Sequence, residues 1–71
     1  MTTSTLQLMN SLTTDLENLQ VNETQIATFV EMIKGAPVSP TALEILSDTQ
    51  AKAVVRVRAF ARVTTDLQRA S

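Results

Sequence analysis

Six Lys and Arg side chains stand against seven Asp and Glu, and the chain contains neither His nor Cys. Without His there is no usual proton shuttle near neutral pH, and without Cys there is no thiolate nucleophile. A serine nucleophile would need another base, and neither Lys34 nor Lys52 sits in a motif that supplies one. Asp15 and Glu17 are two residues apart, so on a helix they point to different faces. Glu44 and Asp48 share a face, but a solvated one. A single glycine, Gly35, cannot build a phosphate-cradling loop. Acid–base, nucleophilic and metal chemistry therefore lack their parts, and the sequence predicts a non-enzymatic chain with no cofactor and no metal.

Recognition chemistry remains. Residues 51–71 hold Lys52, Arg56, Arg58, Arg62 and Arg69 against Asp66 alone, whereas residues 1–50 hold six acids against Lys34. An acidic front and a basic tail suggest head-to-tail contact, within one chain or between chains. Helix-dipole complementation is the plainer account, with Glu44 and Asp48 near the start of the last helix and Arg69 near its end. Arg58, Arg62 and Arg69 fall on one helix side, which could contact phosphates. The other reading is a solvated face with i,i+4 pairs, Asp48–Lys52 and Arg62–Asp66. A net charge of −1 and the lack of Tyr and Trp favour the solvated face over nucleic acid.

The elements that must carry these groups are helices. Gly35, Pro37 and Pro40 are the only glycine and prolines, and they fall within six residues. Lys34-Gly35 reads as a helix end with Gly in the left-handed conformation. Ser39-Pro40 reads as the next start, Ser as N-cap and Pro at the first helical position. Pro37-Val38-Ser39-Pro40 also fits a P-x-x-P ligand pattern, but the turn accounts for both prolines. Past it, Leu43, Leu46, Gln50, Ala53, Val57, Phe60, Thr64 and Leu67 alternate spacings of three and four, with Ala42, Val54 and Ala61 widening the stripe. One helix over about 40–69 is predicted, roughly 45 Å long.

Before the turn, Leu6, Met9, Leu12, Leu16 and Leu19 share that spacing, and Ile26, Phe29, Val30 and Ile33 continue it. Between them Asn22 can cap a helix, Gln25 can reach back as its capping-box partner, and Val21 can staple onto Ile26. Helices over 5–20 and 23–34 follow, or one helix kinked near Val21-Asn22. The Thr-rich residues 2–14 have low helix propensity and are expected to fray unless a partner holds them. The predicted fold is all-α: a single domain that is a helical hairpin or small three-helix bundle. Its long C-terminal helix packs antiparallel on a shorter or kinked N-terminal arm, with the turn at 35–39.

One feature fits a closed hairpin poorly. Ile45, Val55, Ala59 and Val63 lie off the main stripe, toward its opposite side, near Lys52 and Arg56. The first two helices straddling the third would cover them. A second apolar stripe interleaved with arginines is more often an interface. The interaction residues expected are thus Ile45, Val55, Ala59 and Val63 as apolar contacts, with Arg56, Arg58 and Arg62 pairing with acids of a neighbour. Gln50 and Thr64 within the main stripe either fix register or sit at the seam's edge. A core this small rarely supplies more than about 3–5 kcal/mol. Without disulfides, partner chains are the expected extra support.

The segment Pro37-Val38-Ser39-Pro40-Thr41-Ala42-Leu43, followed by the residues to the C-terminus, resembles the turn and second helix of type III secretion needle and inner-rod subunits. Asp66 stands where those chains have a late aspartate. The resemblance covers about residues 25–71. It implies a two-helix hairpin that polymerises into a helical tube.

The function expected is a protein–protein interaction or assembly subunit, self-associating or bound to another protein. The alternatives are a small nucleic-acid-binding regulator using Arg58, Arg62 and Arg69, and an adaptor or inhibitor that captures a larger protein with its N-terminal Leu-rich helix. No apolar stretch approaches the ~20 residues of a membrane span. Met1-Thr2-Thr3-Ser4-Thr5 has no basic residue and does not read as a secretory signal. A soluble protein is expected, cytoplasmic or exported without a cleavable signal.

Overall fold

Glycine and proline chemistry places one turn, but the chain makes three. In the computed structural model, which describes residues 3–70, four helices follow one another: α1 Thr3–Glu17, α2 Glu23–Met32, α3 Pro40–Ser47 and α4 Ala53–Ala70. Met1 and Thr2, with the opening of the segment read against a secretory signal, lie outside the described residues. The all-α class stands. The hairpin and the three-helix bundle do not, because the expected helix over 40–69 is two helices. The described residues measure 29 × 23 × 17 Å, too short for a 45 Å rod.

The break between α3 and α4 follows from Ser47-Asp48-Thr49-Gln50. These are residues whose side chains compete for backbone partners. Asp48 Oδ1 accepts the Gln50 N–H at 2.9 Å, and its carbonyl accepts the Ala51 N–H at 3.2 Å. The backbone at Asp48 is extended, φ −77° and ψ 107°. An i,i+4 pair between Asp48 and Lys52 presupposes a helix that is not there.

The other boundaries match their sequence signals more closely. Asn22 caps α2, accepting the Gln25 N–H at 3.1 Å. The reciprocal half of the capping box is missing, since Gln25 Oε1 is buried without a hydrogen-bond partner among the described residues. Gly35 has φ +88°. A Cβ there would meet nothing within 4 Å, so glycine is required by backbone conformation and not by crowding. Ser39 caps α3 through the Ala42 N–H, and Pro40 takes the first turn.

The end of α1 carries no glycine signal. Gln20 N–H reaches the Asp15 carbonyl at 2.8 Å and Leu19 N–H the Leu16 carbonyl at 2.9 Å. This is a Schellman closure with Leu19 in the left-handed position, φ 56°. Leu19 is 61% exposed, so no packing demands leucine there. An L-residue in this region costs about 1–2 kcal/mol, of which glycine recovers part, less its own unfolded-state entropy. Leu19→Gly is therefore expected to stabilise by up to about 1 kcal/mol, or about 4–8 °C in Tm. A thermal melt showing no rise would refute this account of the α1 end.

Packing closes the four helices into a ring: α1 on α2, α2 on α3, α3 on α4, and α4 back on α1. The core is Met9, Leu12, Leu16, Ile26, Phe29, Ile33, Ala42, Leu46, Ala59, Phe60, Val63 and Leu67. Helices α2 and α4 face each other diagonally, and their backbones do not approach closely. Long side chains span that diagonal. The Phe29 and Phe60 rings, the only two aromatics, meet with centroids 5.5 Å apart and planes tilted 56°. Arg56 spans it a second time.

Candidate functional site

Splitting the last helix rotates α4 relative to α3, and that reassigns the expected interaction residues. The buried positions of α4 are Arg56, Ala59, Phe60, Val63 and Leu67. Their 56–60–63–67 spacing is the true core stripe. The stripe drawn through one continuous helix shares only Phe60 and Leu67 with it. Arg56 and Val63, expected on an exposed back face, are therefore interior, at 2% and 0% exposure. Ala59 is also buried, with its small side chain at the bottom of a surface groove.

Arg56 joins three elements. Its Nε and Nη2 donate to the Leu46 carbonyl at 3.0 and 2.8 Å. That carbonyl belongs to the last turn of α3, where helix carbonyls lack intrahelical partners. Nη1 and Nη2 donate to the Glu23 carboxylate at 2.6 and 2.7 Å, a two-pronged fork. Glu23 opens α2, where the helix dipole favours an anion. One guanidinium thus ties the start of α2 to the end of α3 from within α4. This pair is structural, so Arg56 is withdrawn from the cations offered to a neighbour. The sequence signal was an arginine in register with Phe60, Val63 and Leu67, visible only once the break at Asp48 is placed.

The Arg56 fork holds the Glu23 carboxyl below its ordinary value near 4.5, against the opposing effect of burial. Asp66 is likewise lowered from an ordinary 3.8, first by the Ser39 N–H that donates to Oδ2 at 2.9 Å and then by Arg62. Both folded values lie below the unfolded ones. Their stabilisation is therefore complete above the unfolded values and is lost as pH falls through the folded ones. Melting temperature is expected to be level from neutral pH to about 5 and to drop below about 4. Glu23→Gln should flatten that acid limb, a comparison that circular dichroism melts across pH can make.

The groove between α3 and α4 brings together most of the remaining expected residues. Ser39, Thr41, Ala42, Ile45, Val55, Arg58, Ala59 and Arg62 line it, and its volume is about 290 Å³. Ala42 and Ala59, both small, let the surface dip between the helices. Ile45 is half-buried and Val55 is 40% exposed. Arg62 is exposed and shares its Nε with both Asp66 oxygens at 3.1 and 3.2 Å. Arg58 is exposed and has no ion-pair partner among the described residues. The volume is at the lower edge of small-molecule pockets and suits one or two side chains from another surface. Among the described residues no three carboxylates gather as metal ligands, and no helix is long and apolar enough to cross a membrane. Compared with known protein families, with curated proteins and with solved structures, the chain matches none.

Proposed function

We propose that this protein is a non-enzymatic interaction or assembly subunit whose docking site is the α3–α4 groove. The carrying observation is the groove's composition. Ala42 and Ala59 make a shallow apolar floor, Ile45 and Val55 flank it, and Arg58 and Arg62 rim it. Such a surface suits an apolar side chain carried on an acidic helix. The apolar part is seated by burial, and a carboxylate is oriented by Arg58, the rim cation with no ion-pair partner among the described residues. An isolated apolar side chain would find too little area here for tight binding, so the contact should be weak or multivalent.

Nucleic-acid binding is less well supported. Of Arg58, Arg62 and Arg69, the cations that reading uses, Arg62 is already engaged by Asp66. Fewer free cations remain for phosphates than the bare sequence counts. The test uses isotope-labelled full-length protein and a synthetic helical peptide with Leu and Glu side by side on one face. Amide shifts should centre on Ala42, Ile45, Val55, Arg58 and Ala59, and a peptide with Lys in place of Glu should leave them unmoved. Equal response to both peptides, or none at about 1 mM, removes the reading.

A further inference from the structure

The chain itself displays a surface of the kind this groove would take. Helix α2 carries Glu23 and Glu31 and no cation. Ala27, Thr28, Glu31 and Met32 lie on one face of it, around a shallow surface depression. Met32 is 42% exposed, and its unbranched thioether side chain adapts to irregular gaps. Glu31 is exposed and has no ion-pair partner among the described residues. Ala27, one turn before Glu31, is small enough to let a facing helix come close. On α4, Arg58 is in the converse position, a cation with no ion-pair partner among the described residues beside an apolar dip. The two surfaces share no residue.

We infer that the occupant of the α3–α4 groove is the α2 face of a second copy of this chain. Met32 of one copy seats between Ile45 and Val55 of the next, over Ala42 and Ala59, while its Glu31 meets Arg58. This rests on the groove being a docking site and names what docks there. Because donor and acceptor surfaces differ, the contact is heterologous. Each copy keeps one free groove and one free α2 face, so growth is head-to-tail, into rings or filaments. The acidic front and basic tail of the sequence then have a use that dipole complementation does not supply. The patches are smaller than the roughly 800 Å² per partner of a stable interface, so association should emerge at high micromolar protein.

Sedimentation equilibrium on the full chain tests this through paired charge reversals. The weight-average mass of the wild type should rise with concentration up to about 1 mM. Glu31→Arg and Arg58→Glu should each remain monomeric, and the double variant should associate again. An equimolar mixture of the two single variants should associate again into alternating chains, because the reversed α2 face of one fits the reversed groove of the other, and the two unaltered surfaces fit as in the wild type. All these positions are exposed, and unchanged helical circular dichroism confirms folding. A wild type that stays monomeric throughout overturns the inference, as does a mixture of the single variants that stays monomeric. If the wild type is monomeric but the Leu/Glu peptide still shifts the groove amides, the docking site stands and self-docking falls. If the peptide also fails, both fall together.

Discussion

Arg56→Ala is expected to destabilise the fold by about 3–5 kcal/mol, enough to leave much of the chain unfolded. A 71-residue domain has only about 4–10 kcal/mol in total. The cost has three sources. The Leu46 carbonyl loses both of its guanidinium donors at the end of α3. The space of a 2%-exposed side chain is left unfilled. Glu23 loses its partner as well, but at 49% exposure it regains water and contributes least. The order of effects should therefore be Arg56→Ala, then Arg56→Lys, then Glu23→Gln. Lysine keeps the charge and much of the stem but has no fork to serve Leu46 and Glu23 at once, at about 1–3 kcal/mol. Glu23→Gln should cost about 1 kcal/mol. Urea denaturation followed by circular dichroism gives the order. If Glu23→Gln matches Arg56→Ala, the ion pair, not the anchoring of α3, holds the corner together.

That corner is also where the sequence is hardest to read. Asn22, Gly35, Ser39 and Pro40 act through their own backbone or the next turn, so their effects are legible locally, and the structure has each where its chemistry puts it. The ends at Leu19 and Asp48 are different. Leu19 adopts a left-handed conformation against its own preference because the Schellman bonds and the packing of Leu16 compel it. Asp48 breaks a strongly periodic apolar pattern with only a short polar run as warning. Once that break is missed, a helical wheel carried through residues 48–52 keeps Phe60 and Leu67 in the core but misassigns several of their neighbours. Arg56 and Val63 then look like surface, and Val57 and Thr64 look like core. Ile45, Val55, Arg58 and Arg62 keep their place on one surface, because each is near the edge of its own helix's buried stripe. Ala59 stays with them only because it is small enough to be at once buried and at the bottom of a groove.

Phe29→Ala and Phe60→Ala are each expected to cost about 3–5 kcal/mol, for a reason peculiar to this ring of helices. Helices α2 and α4 are diagonal partners whose backbones do not come close. Their contact in the middle of the molecule depends on these two rings, 0% and 4% exposed and 5.5 Å apart. Shortening either one removes the bridge itself, because adjacent helices cannot move inward without losing their own packing. The Ala variants should be largely unfolded, so the measurable form of the prediction uses Leu. Phe29→Leu and Phe60→Leu should each cost about 1–2 kcal/mol. The double variant should cost less than their sum by about 0.5–1.5 kcal/mol, the excess that belongs to the tilted ring pair. Additive costs would mean that the rings fill volume without recognising each other. In that case the side-chain recognition across the diagonal would be that of the Arg56–Glu23 fork.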